Sequence, residues 1–272
     1  MLAAMTHMLL FGPGYVGGRL AAALTDGWSV TAVRRDTPAA DIAAAIARAT
    51  HILSSVPPTE AGDPVLDLWG QAIAAAPAVW IGYLSSTGVY GDTGGAWVDE
   101  SAPIGGGRRS ARMAADTAWQ HIHRGARVFR LPGIYGPGRS PLDRVRAGTA
   151  HRIDVPDQVF SRIHVDDILG GIAAAIAGGP AGVYNLADDL PASQADVVDA
   201  AARLLGLPPP PLMALDAAGL SPAARAFYAE NRRVAAGKAH RLLGWRLRYP
   251  TYREGLAALA EERCKTPIPA RT

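Results

Sequence analysis

Apolar positions in this chain fall into short runs separated by longer stretches of helical period. Residues 8–11 are too few for a helix and long enough for a buried strand. Residues 28–33 are β-branched and alternating, 51–56 form another run that Pro57-Pro58 breaks, and 78–84 are almost continuously apolar, as a parallel strand buried on both faces would be. Residues 127–131, 159–165 and 183–186 read as later strands. Between these runs the spacing predicts helices after Gly17, over 39–49, over 64–76 with Pro64 in its first turn, over 108–124, over 166–177 with Asp166 or Asp167 near its start, and over 193–205 with Ser193 as cap. A stiff proline run, 208–211, precedes two more helices at 231–243 and 252–262. Strands alternating with helices predict an α/β fold with a doubly wound parallel sheet.

The first strand leads into Gly12, Gly14 and Gly17, spaced G-x-G-x-x-G, and then into an alanine- and leucine-rich segment. Gly12 allows the tight turn, Gly14 lets a pyrophosphate approach the backbone beside Tyr15 and Val16, and Gly17 lets the helix pack on the sheet. The strand before and the helix after favour dinucleotide binding over an ordinary glycine-rich turn. The second strand ends in Arg34 and Arg35, where an NAD site carries an acid for the ribose 2′-hydroxyl. Arginine there accommodates a 2′-phosphate, so NADP is expected and NAD less so; a solvated arginine pair is the alternative. Ser54, Ser55 and Val56, at the carboxyl end of a strand, are expected beside the cofactor.

The chain has 272 residues, room for a Rossmann core and a small appended lobe. A lone cysteine, Cys264, excludes an internal disulfide and fits a reducing cytoplasm. No signal peptide and no membrane span is read, and the net charge of +3 comes from scattered arginines rather than tracts, so no nucleic-acid surface is expected. A small anionic molecule is the better partner for those arginines. No metal-ligand spacing is present in the sequence.

SSTGVYG at 85–91, together with FGPGYVGGRL at 11–20, RLPGIYGPGR at 130–139, RIHVDDI at 162–168 and LGWRLRYPTYREGL at 243–256, resembles the extended branch of the short-chain dehydrogenase/reductase superfamily, in the expected order. The resemblance implies an NAD(P)-binding Rossmann domain from 1–135 plus about 160–190. It also implies a smaller substrate lobe from about 136–159 plus 191–272. Ser85, Pro132, Gly133 and Ile134 would then face the cofactor, with Tyr135 nearer the substrate. Active members pair a serine, here Ser86, with Tyr-x-x-x-Lys, whose tyrosine is the acid/base. This chain has two lysines, Lys238 and Lys265, preceded four residues earlier by Val234 and Glu261, so that motif is absent. On RRSARMAAD, anchored at Asp116, Arg112 takes the lysine position and Arg108 the tyrosine position. Arg112 could hold a ribose hydroxyl; Arg108 cannot readily give and take a proton at neutral pH. The loss resembles atypical, epimerase-like members whose glycine motif reads G-x-G-Y-V-G.

Ser86 is a candidate hydrogen-bond donor to a carbonyl or a strand-end serine serving local backbone. Tyr90 is a candidate proton carrier or a residue packed beneath its loop. His164 is a candidate base or a buried structural histidine. Arg139, Arg144, Arg146, Arg152 and Arg162 cluster where the resemblance puts the substrate lobe, and of these Arg139 and Arg162, with Arg108, are the expected substrate contacts; exposed solvated arginines are the alternative. Two functions follow. One is an NADP-dependent oxidoreductase or epimerase-like enzyme with a rebuilt site acting on a small anionic hydroxyl or carbonyl compound, by analogy a nucleotide sugar. The other is a non-catalytic NADP-binding sensor or partner-binding protein. A monomer or homodimer is expected in either case.

Overall fold

The computed structural model describes residues 6–105 and 110–265. The first half runs β1 (Thr6–Phe11), α1 (Gly14–Ala23), β2 (Trp28–Val33), α2 (Ala39–Arg48), β3 (His51–Ser54), α3 (Pro64–Ala74) and β4 (Trp80–Ser86). A short β5 (Trp97–Val98) is followed by α4 (Ser110–His121), β6 (Ala126–Leu131) and β7 (Gly133–Tyr135). Then come α5 (Pro141–Arg146), β8 (Arg152–Asp154), β9 (Arg162–His164), α6 (Val165–Ala177), β10 (Gly182–Asn185) and α7 (Gln194–Leu204). The chain closes with β11 (Leu212–Ala214), α8 (Pro222–Arg225), β12 (Arg233–Val234), α9 (Gly237–Leu242) and α10 (Tyr252–Lys265).

Six strands form one parallel sheet in the order β10-β6-β4-β3-β1-β2. The Rossmann α/β fold expected from the alternation is therefore present. Its detail differs from the commonest order in one respect. Residues 34–50 hold a single helix and no strand, so the chain returns from β2 straight to the far side of β1 and leaves β2 as the edge. The direction of winding reverses between β1 and β3, and such a switch point opens a crevice at the carboxyl ends of its two strands.

The continuous apolar runs are explained by burial on two faces. Met8 and Leu10 of β1 pack with Trp80, Phe129 and helices α1 and α6, through Leu20, Ile168 and Ile172. Their neighbours Leu9 and Phe11 turn to the opposite face, against Ile42 and Ile46 of α2, Ile73 of α3 and Trp119 of α4. Each such side chain contributes roughly 1.5–3 kcal/mol when fully buried. A third cluster joins Leu142 and Val145 of α5, Val197 and Val198 of α7, and Leu256 and Leu259 of α10 beneath Tyr135.

Local boundaries moved where backbone groups found other partners. The helix expected over 231–243 begins only at Gly237. Asn231 gives its carbonyl to the N–H groups of Thr93 and Gly95, and β12 pairs with β5, so this stretch is extended. The strand expected over 159–165 is shortened to 162–164, because Phe160 bridges Ala192 and Arg232 instead. The apolar run at 78–84 is displaced to 80–86. His164 caps α6, its Nδ1 accepting from the Asp166 N–H at 3.2 Å.

Candidate active site

The glycine loop sits at the switch point. Gly12 and Gly14 have φ of +67° and +45°, a backbone that L side chains adopt only with strain. The Gly12 N–H donates to Val33, and Ser55 on the neighbouring strand donates its N–H to Phe11 at 3.0 Å and its hydroxyl to the Gly12 carbonyl. A Cβ on Gly17 would stand 3.2 Å from both methyl carbons of Leu10, so the helix packs directly on β1 there. Helix α1 starts after Pro13 with no side chain capping its free N–H groups. A Cβ added at Gly14 would have only the Ser55 hydroxyl within 4.0 Å. The strand-to-helix turn thus leaves an open cradle with uncapped donors, which fits a pyrophosphate. A dinucleotide held there would lie on Gly14, Tyr15, Val16 and Ser55, and would supply hydride chemistry at its nicotinamide.

From that cradle a cleft of about 1040 Å³ runs into the C-terminal part of the chain. Gly14, Tyr15, Val16 and Ser55 line its first part, and Ser85, Ser86, Arg112, Pro132, Gly133 and Ile134 line its middle. Arg139 stands over the Tyr15 ring at the cradle end and Arg232 beside Gly88, while Arg144 and Arg162 line the cleft with apolar residues that include Ile153, Phe160 and Tyr228. Residues from distant motifs are thus gathered on one surface only by the fold. Ser86 accepts the Gly88 N–H at 3.1 Å through its hydroxyl oxygen, which leaves the hydroxyl proton to donate. Arg162 hydrogen-bonds the carbonyls of Phe160 (2.7 Å) and Ala192 (2.9 Å); burial pulls its guanidinium down to about 10, still charged at neutral pH. The Phe160 and Tyr228 rings meet edge to face at 5.4 Å. Burial raises the Tyr228 phenol, while the charges of Arg144 and Arg162 offset part of that rise.

Other expected residues lie elsewhere. Gly12 and Gly17 shape the turn without lining the cleft, Ser54 is fully buried behind it, and Val56 packs against Gly12. Arg34 and Arg35 stand exposed at the end of β2, beyond the cleft wall. Arg146 and Arg152 are also outside it, Arg152 reaching the Pro210 carbonyl at 3.2 Å. Arg108 falls outside the described residues. Tyr135 borders the cleft, but its hydroxyl points at Gly255 of α10 and burial holds the phenol far above its ordinary value. His164 is 1% exposed, and its ring is pushed down to about 4 by burial, so it caps α6 as a neutral imidazole.

Tyr90, a candidate proton carrier or a residue packed beneath its loop, has its hydroxyl inside a buried polar network and is not among the residues lining the cleft. It donates to Asn185 at 2.8 Å and accepts from Arg130 at 3.0 Å. Arg130 grips Asp116 through two contacts of 2.7 and 3.1 Å, and the same carboxylate takes the Ser85 hydroxyl at 2.6 Å. Burial raises the Tyr90 phenol, so it stays protonated at neutral pH. Sequence reasoning missed Arg232 and Tyr228, since both lie outside the motifs that carry the resemblance. Only the N-R-R run at 231–233, basic residues before an apolar stretch, offered a signal.

No family model matches the chain. A functionally unknown conserved protein from Silicibacter pomeroyi is 42% identical, with 94% of this chain and 99% of that one superposed at a TM-score of 0.86. A human epimerase family protein solved with NADPH is 19% identical over 94% of this chain and 99% of its own, with a TM-score of 0.75. The dTDP-glucose 4,6-dehydratase of Bacillus anthracis, in complex with NAD, is 17% identical over 96% and 97% of the two chains at 0.73. At these last identities the likeness is one of fold. A 3-diazoavenalumate denitrifying reductase of a Streptomyces species is 32% identical over 140 residues, 47% of this chain and 45% of the relative, so the chain spans less than half the length of that curated protein. Over nearly its whole length the chain thus shares its fold with these epimerase- and dehydratase-family proteins.

Proposed function

We propose that the protein is an NADP-dependent oxidoreductase acting on a small anionic carbonyl or hydroxyl compound through a site rebuilt without Tyr-x-x-x-Lys. The observation that carries this reading is the continuity of the cleft, from the uncapped glycine cradle past Ser85 and Ser86 to Arg144 and Arg162. Gly14 to Val16 would hold the pyrophosphate, and Pro132 to Ile134 would flank the nicotinamide. Arg112 stands where the ribose-binding lysine is missing, and Arg34 and Arg35 are free in space to meet a 2′-phosphate. Arg139, Arg144 and Arg162 supply positive charge for an anionic substrate, and the apolar wall around Phe160 and Tyr228 receives its uncharged body. The partial likeness to a 3-diazoavenalumate denitrifying reductase supports a reduction. The lack of Tyr-x-x-x-Lys supports a second reading, a non-catalytic NADP-binding sensor, which would share the same first half of the cleft.

Calorimetry at one salt concentration tests the cofactor assignment. NADPH should bind at least about tenfold tighter than NADH, a difference of about 1.4 kcal/mol. Arg34→Asp should narrow or reverse the ratio, and equal affinities in the wild type would overturn the assignment. NADPH consumption with small aldehydo, keto and enoyl acids then separates enzyme from sensor: turnover of none of them, in a protein that binds NADPH, favours the sensor.

A further inference from the structure

Arg232 is the least expected member of the cleft. It sits on a segment that the chain pins from both sides. Asn231 donates its N–H to Asp92 at 2.8 Å and its side-chain amide to the Asp157 carbonyl at 2.9 Å. Its carbonyl takes the N–H groups of Thr93 and Gly95, and its side-chain oxygen takes that of Val159 at 3.2 Å. Two residues on, the Val234 N–H donates to Ser161 at 2.9 Å. The backbone at Arg232 is thus held rigidly between the loop after Tyr90 and the strand leading to Arg162.

The side chain is aimed as firmly. Nη1 donates to the Gly91 carbonyl at 2.7 Å and to Glu230 at 2.8 Å, which fixes the plane of the guanidinium. Nη2 makes no hydrogen bond among the described residues and comes within 4.0 Å of the point a Cβ on Gly88 would occupy. The Ser86 hydroxyl oxygen lies 3.4 Å from that same point. Ser86 and Arg232 therefore both border the space above Gly88, and both line the cleft. One is a neutral donor whose lone pair is already used by the Gly88 N–H; the other is a permanent cation with two undirected N–H bonds. Fixed donors of this kind, in a site partly closed to water, stabilise negative charge on oxygen without having to reorganise.

We propose that Ser86 and Arg232 form a two-donor seat for the oxygen of the substrate carbonyl, and for the negative charge that oxygen carries as an alkoxide after hydride addition to its carbon, or as an enolate or phenolate after conjugate addition. Arg232 then takes, by charge stabilisation, the part that a tyrosine hydroxyl takes in enzymes with Tyr-x-x-x-Lys, while the proton exchanges with solvent water. The seat rests on the function proposed above for the meaning of its ligand, but its existence is testable without cofactor.

The probe is 4-nitrophenol, whose ionisation is read from its visible absorbance. It is titrated into the cofactor-free protein and, separately, into protein saturated with NADP⁺. The phenolate should bind at least about tenfold tighter than the phenol, which lowers the apparent pKa of the bound probe by about one unit. Arg232→Gln should abolish that shift, Arg232→Lys should restore part of it, and Ser86→Ala should weaken it. Circular dichroism and the melting temperature show whether each variant is folded; if Arg232→Gln does not fold, Arg232→Lys and Ser86→Ala decide. Equal affinity for phenol and phenolate, or a shift that persists in Arg232→Gln, overturns the seat. A shift in the cofactor-free protein with no NADPH binding by calorimetry keeps the seat and removes the dinucleotide reading. NADPH binding without a shift does the reverse.

Discussion

Replacing Asp116 by alanine should be among the most damaging single changes this fold can suffer. Asp116 is fully buried, with no solvent to take over its contacts. Its carboxylate receives Arg130 at 2.7 and 3.1 Å, the Ser85 hydroxyl at 2.6 Å and the Gln120 amide at 2.7 Å. Arg130 is itself 3% exposed, so Asp116→Ala leaves a buried guanidinium with only the Tyr90 hydroxyl, among the described residues, to answer it. Removing one partner of a buried pair costs about 3–5 kcal/mol. That is a large part of the roughly 5–15 kcal/mol by which domains are stable. At roughly 2–4 °C per kcal/mol for a chain of this size, the melting temperature should fall by roughly 6–20 °C. Urea unfolding at pH 7, followed by tryptophan fluorescence, gives the free energy directly. Removing both charges, as Asp116→Ala with Arg130→Met, eliminates the stranded cation, and packing a linear apolar side chain there should recover most of the loss. A coupling energy of at least about 2 kcal/mol between the two sites is expected from the cycle. A single-variant loss below about 1 kcal/mol, or a double variant no more stable than Asp116→Ala, would refute the claim that this pair is a closed, mutually compensating unit.

Asp188 should make stability fall as pH rises. Burial pushes its carboxyl up to about 7, so between an unfolded value near 4 and about 7 the folded state holds the extra proton; the stability is full below that window and lost on passing up through it. Asp188→Asn should flatten the decline, and parallel unfolding curves for the two proteins from pH 4 to 8 would count against it. His164 acts in the opposite sense. Its ring is held near 4 against about 6.5 when unfolded, so its contribution is present above about 6.5 and disappears as pH falls through 4; His164→Asn, which keeps an acceptor for the Asp166 N–H, should lose less stability than wild type on acidification. Gly14→Val should abolish NADPH binding while the protein stays folded, because its Cβ would fill the open cradle and its φ of +45° disfavours a β-branched residue. NADPH binding at wild-type affinity in folded Gly14→Val, measured by calorimetry, would put the dinucleotide elsewhere.

The sequence by itself determined the elements and the class of fold, because short apolar runs and helical periodicity record burial locally. Met8 to Phe11 had to be a strand covered on both faces, and Gly12 and Gly14 had to turn sharply. It also determined that the usual acid/base pair is absent, a matter of which residue types occur at all. Tertiary structure alone decided the rest. Residues 231–234 have a helical pattern, yet their backbone bonds to 92–98 and 161, partners that lie far away in the chain and leave no trace in local spacing. The sequence left Tyr90 open between proton carrier and loop packing, and only tertiary structure showed its hydroxyl engaged by Arg130 and Asn185. Arg139, Arg144, Arg146, Arg152 and Arg162 are alike in sequence, yet only the first two and the last line the cleft. A side chain's direction depends on which elements cover it, and that is settled by long-range packing rather than by its neighbours in the chain.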